Sequence, residues 1–446
     1  MSDAWSGERA ERHLRSLELF GMRFGLDRMR RMMTVLGSPE RRFHSIHVVG
    51  TNGKSSTTRM LAAILQRHGL ATGAYLSPHL VSYAERVEIA EREMSMPAFA
   101  AAVARAAWAA DRVNRTLAED DHVTQFELLT AAAFWALAER GVQVAAVEAG
   151  LGGRYDATSV IASRVAVLTN VGLEHTRWLG PTIRDIAAEK LAVVPPGGML
   201  ALGADLHPDA LEVARAITAE RDARLLVADT PDDAMPPQRG AFQRRNFALA
   251  RVAAEAYLRS IGIDADADAV REAAESATVP GRLQVIDDDP LTVLDGAHNP
   301  DAAAALVQAL PQLAGGAGLG EGRPLGLVMG VLEDKDAAEM LRLLLPLCTR
   351  AWFTAPPSSR ALSPAALQSL ARQLGFTEAV CEPDPGRALA QARAWARSPQ
   401  APAVENDAQA PAVLATGSVY LVGALLAGVG AAEGDTAEGD AGRAAR

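Results

Sequence analysis

Of the 44 lysines and arginines in this chain only three are lysine: Lys54, Lys190 and Lys335. Arginine replaces lysine as a general surface charge, but not where a compact point charge or a reactive amine is needed. The three survivors therefore mark places to look for chemistry. Cysteine is scarcer still. Cys348 and Cys381 stand alone, outside any metal-like or redox-like spacing, which excludes a disulfide framework. No apolar run reaches 18 residues, and 419–429 is too short to span a bilayer. Met1 to Arg15 is charged throughout and lacks the apolar core of a signal peptide. No block of like charge suggests a nucleic-acid arm or a membrane patch, and the net charge is -10. A cytoplasmic protein without nucleic-acid or membrane partners is expected, with any anionic ligand meeting a locally basic cleft. There is no internal repeat.

What is present is enough for two cores: 446 residues, 49% of them hydrophobic. Residues 43–49 read as a strand, followed by a glycine-bearing turn and a helical pattern from Thr57 to His68. Ala71–Leu76, Val142–Val147 and Val165–Leu168 are further short apolar strands, with Ala- and Leu-rich helices at Ala98–Val113 and Glu127–Glu139. Continuous apolar runs alternating with helices point to a parallel sheet buried on both faces. A second series has strands at Leu291–Leu294, Leu325–Met329, Ala351–Thr354 and Val413–Ala415, with helices at Ala302–Leu313, Ala337–Leu347 and Pro364–Leu374. The joint falls near Pro280 to Pro290. Residues 399–411 read as a loop, and 431–446 as a disordered tail. The fold class is α/β: a P-loop-type parallel-sheet N-terminal domain over 1–284, then a smaller Rossmann-like α/β domain over 285–430.

Four polar clusters follow predicted strands. The first is Gly50-Thr51-Asn52-Gly53-Lys54-Ser55-Ser56, between strand and helix. Its glycines let backbone N–H groups curl around phosphate oxygens, the helix start adds positive partial charge, and Lys54 reaches the terminal phosphates. Ser55 or Ser56 can present a hydroxyl to Mg²⁺. The others are Ser77-Pro78-His79-Leu80, the stretch from Glu148 through Gly153-Arg154-Tyr155-Asp156-Ala157-Thr158, and Thr169 to Thr176. Parallel sheets bind ligands at this edge. Glu148 is a hard oxygen ligand suited to Mg²⁺. His175 is a less usual one, and its chemistry alone leaves metal ligation and strand-end hydrogen bonding equally open.

Gly-Thr-Asn-Gly-Lys resembles the loop of the Mur ligase superfamily. Ser-Pro-His-Leu, Gly-Leu-Gly-Gly-Arg-x-Asp-Ala-Thr and Gly-Leu-x-His-Thr-x-x-Leu-Gly resemble its folate branch, dihydrofolate synthase/folylpolyglutamate synthase, from about Leu17 to about Gly423. The resemblance implies ATP and two Mg²⁺ ions as cofactors, with Ser77, Glu148 and His175 as metal ligands. It also implies that Lys190 carries a carboxyl group on its amine and holds the second ion, which an arginine cannot do. Thr51 to Ser56, with Asn246, Arg282 and Asp295, are implied to hold nucleotide. They come from the loop and from segments resembling the family's Gln-Arg-x-Asn, Pro-Gly-Arg and Asp-Gly-Ala-His-Asn-Pro. Lys54, Lys190 and His298 are the candidate catalytic residues. Lys335, in Asp334-Lys335-Asp336, matches a further family motif, where a phosphate or carboxylate contact competes with a local ion pair.

On the substrate side the resemblance covers Arg23, Phe24 and Gly25, then Thr124, Gln125, Phe126 and Glu127, and finally Tyr155, Asp156 and Ala157. Phe126 can stack on a flat bicyclic ring. Two departures stand out. Ser55 occupies a position where the family usually has glycine, and so needs an ordinary φ; Ser159 replaces an asparagine. The implied reaction forms an acyl phosphate from ATP and a pterin-bearing carboxylate, then an amide with L-glutamate. Dihydropteroate, reduced folates and L-glutamate are the expected partners of a monomer. A cell-wall Mur ligase is not expected, because 49 residues before the loop leave no room for a nucleotide-sugar domain. A ligase that only extends polyglutamate, or a P-loop switch ATPase, remains as the alternative.

Overall fold

The structure is a computed structural model that describes residues 4–17, 25–228, 234–235, 240–313, 319, 323–398 and 410–428. The expected tail at 431–446, most of the loop at 399–411, and Arg23 and Phe24 lie outside the described residues.

The chain divides into two compact units. One comprises Met1–Pro236 with Gln243–Thr278, the other Pro237–Phe242 with Val279–Arg446. The longer stretch of the second unit begins at Val279. The reason is local pairing: Gly296 N bonds Gly281 O at 2.8 Å, so the Pro-Gly-Arg segment travels with the unit that follows it.

Among the described residues of the first unit, eight strands form one sheet. In chain order they are β1 (His44–Val49), β2 (Thr72–Tyr75), β3 (Val87–Ile89), β4 (Arg92–Glu93), β5 (Val144–Glu148), β6 (Ser163–Leu168), β7 (Met199–Gly203) and β8 (Arg224–Ala228). Their spatial order is β4-β3-β2-β5-β1-β6-β7-β8. The pairings from β2 to β8 are all parallel, and β3 and β4 join antiparallel at one edge. Every residue of β5 is buried, as are five of six in β1, as expected for strands covered on both faces. The helices Met96–Asn114 and Gln125–Glu139 cover one face, their many buried alanines allowing close approach. The helix Ile183–Leu191 and the segment Pro208–Glu220 cover part of the other. Beside β1 the chain steps first to one side (β2, with β5 between) and later to the other (β6), which makes the carboxyl ends of these four strands the switch point of the sheet.

The second unit has a six-stranded sheet made of β9 (Gln284–Asp288), β10 (Leu291–Leu294), β11 (Leu325–Met329), β12 (Arg350–Phe353), β13 (Ala379–Cys381) and β14 (Ala412–Thr416). The order is β13-β12-β11-β14-β10-β9, parallel except for β9. Its core includes Val293, Leu327, Met329, Phe353 and Leu414, all fully buried. A helix at 419–428 follows β14. No helix among the described residues is long and apolar enough to cross a membrane.

Candidate active site

The loop from Gly50 to Gly53 leaves β1 and enters the helix Lys54–Arg67. Gly53 caps that helix at φ 81, a left-handed conformation. A Cβ there would lie 2.6 Å from Asn246 Oδ1, so glycine is required twice over. The same contact places Asn246, a nucleotide candidate, beside the loop. Ser55 falls in the first helical turn, where its φ is ordinary; the glycine of related loops is not needed at that position.

The neighbouring strand ends brace the loop. Thr51 N donates to Asn170 O (3.1 Å), and Asn52 N to Asn170 Oδ1 (2.8 Å). Thr169 Oγ1 donates to Asn52 O at 2.6 Å, and Gly172 N to Thr51 Oγ1 at 3.0 Å. Loop shape therefore rests on backbone and on the segment after β6, while Lys54 Nζ folds back onto Thr51 O at 3.1 Å. Ser56 is buried.

Glu148 ends β5 between the loops after β1 and β2. Its Oε1 accepts from Ser55 Oγ at 3.0 Å, and its Oε2 from Ser77 N at 3.0 Å. Ser55 and Ser77 thus meet at one buried carboxylate, and of the two loop serines it is Ser55 whose hydroxyl contacts it. The Glu148 carboxylate and the Ser55 hydroxyl are hard oxygen donors of the kind Mg²⁺ takes, whereas Ser77 reaches the carboxylate through its backbone nitrogen. His175 is placed differently: at φ 54, with a side chain 40% exposed and Nε2 3.9 Å from Glu174 Oε1. Among the described residues no group of three or more His, Cys, Asp or Glu is arranged to hold a metal ion.

Lys190 is buried, and its Nζ donates to Gly50 O at 2.7 Å. Burial and the Lys54 charge push its pKa down to about 7, against the opposing fields of Glu174 and Asp156. Glu174, absent from the sequence-based assignment, is therefore part of this neighbourhood. Nothing but its place beside His175 would have signalled it.

The substrate-side residues divide. Thr124 and Glu127 form a capping box at the start of Gln125–Glu139. Arg28 Nε lies 3.0 Å from both Glu127 oxygens, and its Nη1 2.8 Å from Asp121 Oδ1. Gln125 Nε2 donates to Leu14 O at 2.8 Å. Thr124, Gln125 and Glu127, the expected substrate-side residues, thus also make hydrogen bonds within the scaffold. Arg28→Ala leaves a buried carboxylate without its cation and should cost about 3 kcal/mol of stability. A urea midpoint unchanged from wild type would show the pair to be dispensable.

Phe126 stacks on Tyr75, with ring centroids 6.3 Å apart. A Cβ on Gly150 would come within 2.5 Å of the Phe126 ring, so the loop after β5 lies directly on that side chain. Asp156 is buried: Oδ1 accepts from Thr158 N (3.0 Å) and Thr158 Oγ1 (2.5 Å), and Oδ2 from Leu151 N (2.8 Å). His47 Nε2 joins the same chain through Thr158 Oγ1 at 2.8 Å. Thr158 already donates to Asp156, so His47 is the donor there. Ala157 is buried, Tyr155 is 48% exposed, and Gly25 is partly buried at φ 145.

In the second unit, buried Asp295 accepts from Leu283 N (2.9 Å) and Ala297 N (2.8 Å), tying the turn that carries Arg282 to the end of β10. Burial raises the Asp295 pKa, and the Arg282 charge opposes the shift. His298 Nδ1 lies 2.9 Å from Gly296 O; a carbonyl only accepts, so Nδ1 carries a proton and donates it there. Lys335, its side chain 10% exposed, stands 3.6 Å from Asp334 Oδ2.

Fold and site together define an α/β protein built to hold a nucleotide's phosphates at the switch point of a parallel sheet, with a second α/β unit after it. The Mur ligase middle domain matches residues 48–196, and the Mur ligase glutamate ligase domain matches residues 281–404. The chain is 34% identical over 369 residues to the folylpolyglutamate synthase of Lacticaseibacillus casei, covering 76% of this chain and 84% of that protein. It is 33% identical over 378 residues to the dihydrofolate synthase/folylpolyglutamate synthase of Mycobacterium tuberculosis, covering 77% and 76%. Among solved structures, M. tuberculosis folylpolyglutamate synthase complexed with ADP aligns with a TM-score of 0.85 at 30% identity, over 95% of this chain and 98% of that one. E. coli FolC in complex with DHPP and ADP aligns with a TM-score of 0.80 at 28% identity, over 96% and 99%. The chain belongs to the folate branch of the Mur ligase family.

Proposed function

We propose that this chain is an ATP-dependent ligase that adds L-glutamate first to dihydropteroate and then to reduced folates, through an acyl phosphate. The observation that carries the reading is the meeting of Ser55, Ser77 and Glu148 at the carboxyl ends of β1, β2 and β5, with the amines of Lys54 and Lys190 on backbone carbonyls of the loop after β1. The substrate carboxylate attacks the γ-phosphate, and ADP leaves. The glutamate amine then attacks the acyl carbon, and phosphate leaves. The chain's contribution is largely positioning and electrostatics. Backbone N–H groups of the loop and Lys54 hold the phosphates, with Arg282 and Asp295 of the second unit as further nucleotide contacts and His298 as a catalytic candidate. Mg²⁺, held by Glu148 with Ser55 and Ser77, would offset phosphate charge. His175 and a carboxylated Lys190 complete the proposed ligand set, the latter for a second ion.

The test is ADP release with Mg-ATP and glutamate, supplying dihydropteroate or a reduced folylmonoglutamate as acceptor. Activity with both is expected. Activity with the folylmonoglutamate alone would make the chain a polyglutamate extender, and activity with neither would favour a switch ATPase.

The two acceptors present their reacting carboxylates more than one backbone residue's reach of ~3.5 Å apart, since a γ-glutamyl arm intervenes. A single rigid pocket does not hold the pterin in both poses. Phe24→Ala is therefore expected to change the ratio of the two kcat/KM values rather than to lower both equally. Equal losses would remove Phe24 from acceptor discrimination.

A further inference from the structure

His79 follows Ser77 by two residues, at most about 7 Å of chain. Its ring is locked from two sides. Arg86 is buried, and its Nε donates to His79 Nδ1 at 3.0 Å. A guanidinium has no lone pair to offer, so Nδ1 is the acceptor and the ring proton sits on Nε2. The Tyr83 ring lies against the imidazole, centroids 4.2 Å apart, and Arg86 stands over the same tyrosine at 5.7 Å.

The loop carrying the histidine is fixed as well. The Glu85 carboxylate accepts from Leu80 N (2.9 Å), Val81 N (2.8 Å) and Ser82 N (2.6 Å). On the other side, Ser77 N is held by Glu148. Nothing within the described residues accepts the Nε2 proton, and Nε2 is not among the buried polar atoms left without a partner. It is an oriented donor on a partly buried ring, one loop away from the candidate phosphate-transfer centre.

A group that only donates selects an acceptor atom. Arg86 at the ring, and exposed Arg15 of the helix Gly7–Ser16, whose field also reaches it, favour an anionic one. Dihydropteroate has one carboxylate, and that one must react. A glutamylated acceptor has a second, the α-carboxylate, on the residue that carries the reacting group. We propose that His79 Nε2–H, held by Arg86, binds the α-carboxylate of the glutamylated acceptor. This makes His79 a specificity-determining contact and Arg86 its positioning residue. The inference rests on the function proposed above.

The test compares kcat/KM for the folylmonoglutamate and for dihydropteroate, with KM for L-glutamate and ATP, in His79→Gln, His79→Asn and Arg86→Met. The glutamine amide nitrogen reaches the place of Nε2, whereas that of asparagine reaches only the place of Nδ1. In His79→Asn the folylmonoglutamate/dihydropteroate ratio of kcat/KM should fall about tenfold or more, the loss of one hydrogen bond to a charged group. His79→Gln should recover most of it, and Arg86→Met should move the ratio in the same direction as His79→Asn. The two histidine variants are similar in size and polarity, so their ranking does not depend on a difference in folding. An unchanged ratio, equal ranking of the two variants, or an effect confined to KM for L-glutamate would overturn the assignment while leaving the ligase reading intact. A wild-type protein inactive with both acceptors would overturn both.

Discussion

Lys54→Ala is expected to lower turnover at saturating ATP by about 10²–10³-fold, the scale of removing one preorganised charge or donor from a phosphoryl-transfer site. The fold should survive. The loop is shaped by Gly53 at φ 81 and by the bonds from Thr51 and Asn52 to Asn170 and Thr169, none of which involves the lysine side chain. The Lys54 ammonium contacts Thr51 O, a local backbone carbonyl, so its removal opens no cavity in the core. Thermal unfolding should therefore stay near wild type while ADP release collapses. Lys54→Arg should also perform poorly, since a planar fork does not reproduce a compact point charge. A wild-type rate in the alanine variant would sink the phosphate-loop reading, and with it the role given to the switch point at β1.

The loop was legible because several local signals coincide in one short segment: a buried apolar strand, a glycine for the left-handed cap, a lysine, and a helical pattern. β5 and β6 were legible for a related reason, being largely continuous apolar runs covered on both faces. β4 is two exposed charged residues, and β8 and β13 are mostly half-exposed, so at these edges apolar content carries little signal. Tertiary pairing makes them strands. The Thr124 segment shows the opposite difficulty. Thr-x-x-Glu before an apolar run is the spelling of a capping box, a local meaning that stands beside the resemblance to a substrate loop. Arg28, the partner of Glu127, lies far away in sequence. The Arg86–His79 bond spans only seven residues, yet no periodicity announces it, because it depends on the path of a loop. The scarcity of lysine was more informative than any of these. Lys54 and Lys190 meet the same short loop, one at Thr51 O and the other at Gly50 O.

That second lysine carries the last prediction. Lys190→Arg keeps a positive charge and is still expected to lose about 10²-fold or more in turnover, comparable to losing a metal's supporting ligand. The proposed chemistry needs a neutral amine. Its lone pair attacks CO₂, one N–H proton is released, and a carbamate with two oxygens results. An ordinary lysine is almost entirely ammonium at neutral pH. Lys190 differs because burial and Lys54 bring its pKa to about 7, so at pH 8 most of it is free amine. At constant CO₂ pressure, ¹³CO₂ labelling of the wild type should show a carbamate signal that grows as pH rises through about 7 and is missing in Lys190→Arg. The same shift has a stability consequence in CO₂-free buffer. The folded-state pKa is depressed, so the contribution of the neutral amine is present above the unfolded value near 10.5 and is lost as pH falls towards about 7, below which it is flat. Lys190→Met, which buries no amine, should lack that part of the slope between pH 7 and 10, a comparison that does not require activity. A fully active arginine variant would leave Lys190 without a carbamate role. A wild-type signal with no pH dependence would place the labelled amine elsewhere.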